Sequence, residues 1–223
     1  RKLIDAARLK TYAINSIEKI NFREAEGRAE VLARTRQLSE YAQELACPWL
    51  VAVPGPAPAG TRWEATRDNT VTSLRAMSEI AAPFGVNLAF EFLGFPWCSV
   101  RTVAQGWEIV QTTDRANVGM VIDTCHFFAG GSTLDSIRAI DPKKLAIFHI
   151  NDVESMPEEK IEDANRLFPG DGVIPLKGII AAVRGTGYDG VASVEIFRPE
   201  YWQRDPRAVA QEAKTKSMRV LGM

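Results

Sequence analysis

The sequence has little cysteine, little histidine and no excess of charge of either sign. Its 223 residues include three cysteines and two histidines, and the formal net charge at pH 7 is −1. Cys47, Cys98 and Cys125 are odd in number and form no CxxC pair, which is not the pattern of a disulfide-stapled secreted domain. This cysteine usage predicts a cytoplasmic protein.

The sequence also lacks a basic surplus and any long hydrophobic run. Lys and Arg number 27 against 28 Asp and Glu, so we expect no nucleic-acid partner. No apolar run approaches the roughly 18 to 20 residues of a membrane span, and Asp5 interrupts the region where a signal peptide would be apolar. We therefore expect no membrane partner. Since the sequence begins with Arg1 rather than Met, we expect Arg1 to lie inside a longer natural chain.

A glycine-rich phosphate loop is absent as well, since neither GxGxxG nor GxxxxGK[ST] occurs. The sequence has instead six short apolar runs rich in β-branched residues, separated by stretches with helical spacing. Most of these runs are apolar on both faces, which is typical of parallel strands covered by helices. The predicted strands are 11–17, 49–54, 87–92, 118–124, 145–151 and 191–197.

Predicted helices alternate with these strands, which indicates an α/β protein with a parallel sheet. They cover 23–47, 64–82, 100–112, 174–184 and 206–221, with Asn21 as a candidate N-cap of the first. A closed (β/α)₈ TIM barrel is favoured over an open nucleotide-binding sheet, because polar residues collect at the strand ends. Such a barrel needs eight strands. We therefore predict one TIM-barrel domain over residues 1–223 that lacks its first two βα units.

Five polar side chains lie at or near the ends of the apolar runs: Asn15, Glu91, Asp123, His149 and Glu195. A buried carboxylate costs several kcal/mol unless it is paired or bound to a cation. Neighbouring barrel strands would bring the last four side chains to one mouth, where carboxylates and an imidazole suit a divalent ion. A salt bridge is the alternative explanation for any single one. We predict one bound ion, Mn²⁺ first, with Zn²⁺, Co²⁺ or Mg²⁺ as alternatives.

Several longer motifs resemble a known family. The chain contains EFLGFPWCSV, VGMVIDTCHFFAGGS, IFHINDVE, RLFPGDGVI and VASVEIFRPEYW. These segments resemble the xylose-isomerase-like TIM-barrel superfamily of sugar isomerases and epimerases, and within it they are most similar to the inosose (2-keto-myo-inositol) isomerases of inositol catabolism. The resemblance covers nearly the whole chain from about Lys10 onward. It implies that Glu91, Asp123, His149 and Glu195 are the metal ligands.

The resemblance also implies a reaction. A ketone and its neighbouring hydroxyl chelate one divalent ion, which stabilises the enediolate formed when the intervening C–H is deprotonated. Glu91 and Glu195 are then the catalytic base and acid. No redox cofactor is needed, and the bulky residues after Glu195 favour an unphosphorylated polyol or sugar.

Other residues are implied to meet the substrate. His126 in the Asp-x-x-His motif and Arg166 in RLFPGDG match family residues that contact substrate oxygens. Trp97 is a candidate for an apolar wall, or it is plain packing, and it stands where some ketose epimerases have a further glutamate. Asn15 and Arg198 complete the predicted substrate-binding set, Arg198 with a salt bridge to Glu200 as its alternative. Asp152 is expected either to orient His149 or to cap a helix.

Other functions stay open. A ketose 3-epimerase, or another sugar or keto-acid epimerase or lyase of the same superfamily, would use the same metal and carboxylates. A remote alternative is an abasic-site DNA endonuclease, but that class needs many histidines and basic loops, and this chain has only His126 and His149. A barrel that keeps a metal without catalysis is a third alternative. Homo-oligomers are compatible with all of these.

Overall fold

The computed structural model describes residues 1–223, which form two compact units. Unit 1 comprises Arg1–Phe92, Trp97–Val100 and Gln105–Val121. Unit 2 comprises Leu93–Pro96, Arg101–Ala104 and Ile122–Met223. The prediction of a single domain stays a prediction.

Each of the six predicted strand regions contains a parallel strand. In unit 1 the order is β1-β2-β3-β4, and in unit 2 β5 pairs with β8. Strand β4 runs from unit 1 into unit 2. The strands are β1 (Ala13–Ile17), β2 (Trp49–Ala52), β3 (Asn87–Glu91), β4 (Val118–Asp123), β5 (Leu145–Ile150) and β8 (Ala192–Val194), with a separate antiparallel pair of β6 (Asp152–Val153) and β7 (Arg166–Leu167).

The central strands are buried on both faces, as their uninterrupted apolar sequence predicts. Every residue of β4 and of β5 is buried, and β3 is buried apart from its first residue. Side chains alternate between the two faces of a strand, so burial of consecutive residues requires cover on both sides. A charged residue in such a strand therefore needs a partner.

The helices follow the predicted order with small shifts at their ends. The helix predicted over 206–221 is found with the same bounds, and the other four differ by one to three residues at each end. The helices are α1 (Lys2–Ala6), α2 (Ala25–Leu45), α3 (Trp63–Ala81), α4 (Val103–Thr113), α5 (Thr124–Ala129), α6 (Leu134–Arg138), α7 (Leu176–Gly185), α8 (Pro199–Trp202) and α9 (Pro206–Leu221). None of them combines the length and the apolar character that crossing a bilayer requires.

Asn21 does not cap α2, which corrects the prediction. The N-cap of α2 is Glu24, whose side chain makes no capping bond. Asn21 is buried, donates to the hydroxyls of Thr70 and Ser99 at 3.0 Å each, and accepts from the backbone N–H of Gly55 at 2.7 Å. Its side chain thus satisfies polar groups inside unit 1 instead of a helix end.

The β6–β7 pair is held to the following loop by Asp152. One carboxylate oxygen of Asp152 accepts from the backbone N–H groups of Val153 at 3.0 Å and Ile174 at 2.8 Å, and the other accepts from Gly170 at 3.1 Å. Both expected roles of Asp152 are therefore wrong, because its oxygens accept from loop backbone rather than from an imidazole, and Asp152 begins strand β6 instead of capping a helix.

Candidate metal centre

Three of the four predicted metal ligands meet in unit 2. Asp123 is the last residue of β4, His149 lies one residue before the end of β5, and Glu195 follows β8 directly. Their ligand atoms lie within 4.8 Å of one another, and Nδ1 of His149 is 3.4 Å from Oε2 of Glu195. Asp123 and His149 are buried, and the Glu195 side chain is 12% exposed. Strand direction explains the meeting, because parallel strands bring their carboxyl ends to one edge.

Asp123 has two structural tasks besides its place in this cluster. Its Oδ1 accepts from the backbone N–H of His126 at 2.9 Å, which caps α5. Its Oδ2 accepts from Nδ2 of Asn151 at 2.7 Å and from Nη1 of Arg166 at 2.8 Å. Burial by itself would raise the pKa of Asp123, but the charge of Arg166 and the neighbouring imidazoles lower that pKa to about 2. The carboxylate is therefore ionised at neutral pH.

Arg166 connects most of the polar groups of the cluster. The residue is 1% exposed, and besides Asp123 its Nη1 reaches Oε2 of Glu195 at 3.2 Å. Its Nε donates to Oδ1 of Asp163 at 3.0 Å, and the ring of Phe197 lies 5.5 Å from the guanidinium carbon. Burial by itself would lower the pKa of Arg166, but the carboxylate of Asp123 and the other acids around it raise that pKa well above its usual value. The guanidinium is thus a permanent buried cation.

The acids around Arg166 differ in the direction in which their pKa is shifted. Burial by itself would raise the pKa of Glu195, but a hydrogen bond from His149 and the charges of His149 and Arg166 hold that pKa below its usual value. For Asp163, burial is the larger effect and raises the pKa in spite of Arg166. Glu195 is therefore the second ionised carboxylate of the cluster.

His126 lies beside this cluster on α5 and is buried. Its Nε2 is 3.0 Å from Nη2 of Arg166, and its ring meets that of Phe95 edge to face at 4.9 Å between centroids. A guanidinium can only donate hydrogen bonds. Nε2 of His126 must therefore accept, and the proton of the neutral imidazole lies on Nδ1, a buried atom without a hydrogen-bond partner.

We expect nuclear magnetic resonance to find His126 as the neutral Nδ1–H tautomer. Burial lowers the pKa of this imidazole to about 4 from 6.5, so the neutral form should persist as the pH falls from 7.5 to 5.5. The chain has two histidines, so imidazole ¹⁵N shifts give two sets of signals, and a His126→Gln variant assigns them. An Nε2–H tautomer, or protonation of His126 near pH 6.5, would contradict this assignment.

The other predicted site residues are divided between the two units. Glu91 ends β3 in unit 1 and is 2% exposed. Asn15 is exposed in the middle of β1, and Trp97 is 52% exposed; both belong to unit 1. Arg198 lies in unit 2 and pairs with Glu154 at 2.8 Å and with Glu200 at 3.2 Å. Their substrate contacts stay predictions.

Sequence reasoning missed three residues that support the cluster. Asn151 joins Asp123 to the backbone carbonyl of Glu195, to which its Nδ2 donates at 3.2 Å. The hydroxyl of Thr124 accepts from the backbone N–H of Asn151 at 2.9 Å and so ties the end of β5 to the start of α5. Asp163 is the third. The position of Asn151, two residues after His149 at a strand end, was the available signal.

Cys125 lies two residues after Asp123, in the first turn of α5, and its thiol is not suited to a nucleophilic role. It is fully buried, and burial raises the pKa of its thiol to about 12. The thiol is therefore protonated at neutral pH, and a protonated thiol is a poor nucleophile and a poor metal ligand.

The donor set of the cluster fits a divalent cation. Two ionised carboxylates and one imidazole nitrogen are the ligand types that Mn²⁺, Zn²⁺ and Co²⁺ share in proteins. All three lie at strand ends, and Asp123 and His149 lie on strands that are buried along their whole length. Asn151 holds one carboxylate from behind, as the outer partners of metal ligands do.

The fold agrees with the comparisons to known proteins. Residues 1–218 match the family model of the xylose isomerase-like TIM barrel. The chain belongs to this family, and the predicted TIM-barrel fold and the family resemblance are confirmed. The absence of the first two βα units stays a prediction.

Two relatives and one solved structure show which members of the family this chain is similar to. The chain is 37% identical over 213 residues to an inosose isomerase of Bacillus subtilis (strain 168), covering 96% of this chain and 77% of that protein. It is 35% identical over 213 residues to an inosose isomerase of Bacillus licheniformis, with the same coverage of both. A crystal structure of the IOLI protein with a binding zinc atom superimposes with a TM-score of 0.94 at 35% identity, covering 99% of this chain and 80% of that one.

Proposed function

We propose that the chain is a divalent-metal-dependent isomerase that interconverts a cyclic keto-polyol, 2-keto-myo-inositol, with the isomer in which carbonyl and neighbouring hydroxyl have exchanged places. The observation that carries this proposal is the meeting of Asp123, His149 and Glu195 within 4.8 Å. The inosose isomerases at 35–37% identity supply the substrate class.

Glu91 is proposed as the fourth ligand, on the basis of strand register. Glu91 stands opposite Val121 in the parallel β3–β4 pairing, and Asp123 lies two residues farther along β4. Because side chains alternate along a strand, Asp123 lies on the same face of the sheet as Val121. Glu91 is the register partner of Val121 and therefore lies on that face as well. A cation shared with the other ligands would compensate the charge of a buried carboxylate at this position.

A divalent ion held by Glu91, Asp123, His149 and Glu195 would polarise the ketone and its neighbouring hydroxyl, and would so acidify the C–H bond of the hydroxyl-bearing carbon. Glu195 or Glu91 takes that proton, a proton is delivered to the former carbonyl carbon, and the hydroxyl proton passes to the former carbonyl oxygen. One carbon is thus oxidised and its neighbour reduced without an outside electron carrier. The lowered pKa of Glu195 keeps that carboxylate unprotonated before the reaction. Arg166 and His126 are proposed to orient the substrate oxygens.

The identity of the ion and the setting of the reaction are further parts of the proposal. We propose Mn²⁺ as the ion, with Zn²⁺, Co²⁺ and Mg²⁺ as the alternatives, because carboxylate oxygens outnumber nitrogen among the four ligands. We further propose a cytoplasmic location, supported by three buried cysteines that form no disulfide, and a small polyol or sugar as partner rather than nucleic acid or membrane.

An activity assay tests the function. Purified protein is freed of metal with a chelator, reloaded with Mn²⁺, Zn²⁺, Co²⁺ or Mg²⁺ separately, and offered 2-keto-myo-inositol, with product followed by chromatography. We expect isomerisation only in reloaded samples, fastest with Mn²⁺. Open-chain ketoses such as D-fructose serve as the comparison substrates. Turnover of ketoses with none of 2-keto-myo-inositol would assign a ketose 3-epimerase and reject the proposal.

A further inference from the structure

Arg166 places a permanent positive charge against two of the proposed metal ligands. Its Nη1 is 2.8 Å from Oδ2 of Asp123 and 3.2 Å from Oε2 of Glu195. The guanidinium thus bridges two carboxylates of the cluster, as a cation shared between them would.

These two carboxylates need a counter-charge when no metal is bound. Asp123 is fully buried and the Glu195 side chain is 12% exposed, and two ionised carboxylates that close together repel each other at low dielectric. Arg166 supplies the charge that compensates them, and its own burial is stabilised in return.

Contacts on its other sides hold Arg166 in this place. Nε donates to Asp163 at 3.0 Å, Nη2 donates to Nε2 of His126 at 3.0 Å, and the Phe197 ring covers the guanidinium. With its donors divided among four side chains, the guanidinium is held beside the ligands when an ion arrives, and the two cations repel each other.

We propose that Arg166 is a built-in cation that stabilises the metal-free ligand set and thereby weakens binding of the divalent ion. The inference rests on the metal site proposed above. Coupling between two cations at one ligand set is reciprocal. The free energy by which Arg166 stabilises the metal-free ligand set therefore lowers the affinity of that set for the metal. Arg166 would then keep the ion exchangeable and act as a positioning residue for the ligands.

The test compares neutral replacements of Arg166 with the wild type. Metal-free full-length protein is titrated with Mn²⁺ in a calorimeter, and the melting temperature is measured with and without Mn²⁺. Arg166→Met and Arg166→Gln should bind Mn²⁺ on the order of ten- to a hundredfold more tightly than wild type. Their melting temperatures should fall further without Mn²⁺ than with it. Arg166→Lys, which keeps the charge, should stay closer to the wild-type affinity.

Arg204→Met is the matched control, because Arg204 pairs with Glu212 and touches none of the proposed ligands. Its Mn²⁺ affinity should equal that of the wild type. Folding of a neutral variant only in the presence of Mn²⁺ would also support the proposal, since the ion then takes over the compensating charge. Unchanged or weaker Mn²⁺ binding by the neutral variants overturns it. A wild type that binds no Mn²⁺, Zn²⁺, Co²⁺ or Mg²⁺ refutes the proposed metal site itself, which is a different result.

Discussion

Replacement of Glu195 by glutamine should lower the turnover number with 2-keto-myo-inositol on the order of a thousandfold or more. Glutamine keeps the size of the side chain and one oxygen, but it cannot take or return a proton near neutral pH. Steady-state kinetics of the Mn²⁺-loaded protein measure the change. The effect should fall on kcat more than on KM, because the missing proton transfer belongs to the transition state.

Metal content must be measured in the same samples, because Glu195 is also a proposed ligand. A Glu195→Gln protein with bound Mn²⁺ and little turnover supports the proton-transfer role. Glu212→Gln is the matched control, since Glu212 lies on α9 and pairs with Arg204 and Lys216. Its turnover should equal that of the wild type. Near-normal turnover of metal-loaded Glu195→Gln would move the base to Glu91.

Replacement of His149 by alanine should abolish Mn²⁺ binding. His149 supplies the only nitrogen among the proposed ligands, and its Nδ1 lies 3.4 Å from Glu195. Loss of one ligand from a four-ligand site removes most of the affinity, because the remaining carboxylates then lack a complete coordination shell. Calorimetric titration with Mn²⁺ gives the affinity directly.

His126→Ala is the control that separates the two histidines. His126 lies beside the cluster, but its Nε2 accepts from Arg166 and its other nitrogen is enclosed. This variant should keep its Mn²⁺ and lose turnover, since the imidazole is proposed to help orient a substrate oxygen through its hydrogen bond with Arg166. Equal loss of Mn²⁺ in both variants would show that the roles of the histidines are misassigned.

The strands could be predicted because their physical cause is local. Runs such as 87–92 and 145–151 are apolar on both faces, and only burial between two layers stabilises such a run. The predicted strand 118–124 extends one residue too far, because Thr124 already begins α5. A strand residue and a helix start are hard to tell apart in Asp-Thr-Cys-His until the capping bond of Asp123 is seen. The two-residue strands β6 and β7 are too short for any periodicity.

The site could be predicted in its ligand types but not in its connections. An ionisable residue inside an apolar run is conspicuous in a sequence, and Asp123 and His149 are predicted as ligands for that reason. The partners of Asp123 could not be, because Asn151 and Arg166 are 28 and 43 residues away along the chain and the second lies on the short strand β7. Sequence patterns carry no information on which loop folds back over which strand.

The capping bond of Asp123 makes one carboxylate responsible for both the start of α5 and the proposed chemistry. Natural variation at this position should therefore be unusually narrow. Asparagine at this position would still cap α5 but would lack the charge. Glutamate would keep the charge, but its longer side chain would not place an oxygen correctly for the cap. Alanine would lose both the cap and the charge. In a screen of random variants that measures only protein abundance, substitutions of Asp123 should lower abundance. Such a screen would therefore class Asp123 as a structural residue and miss its proposed role in the chemistry.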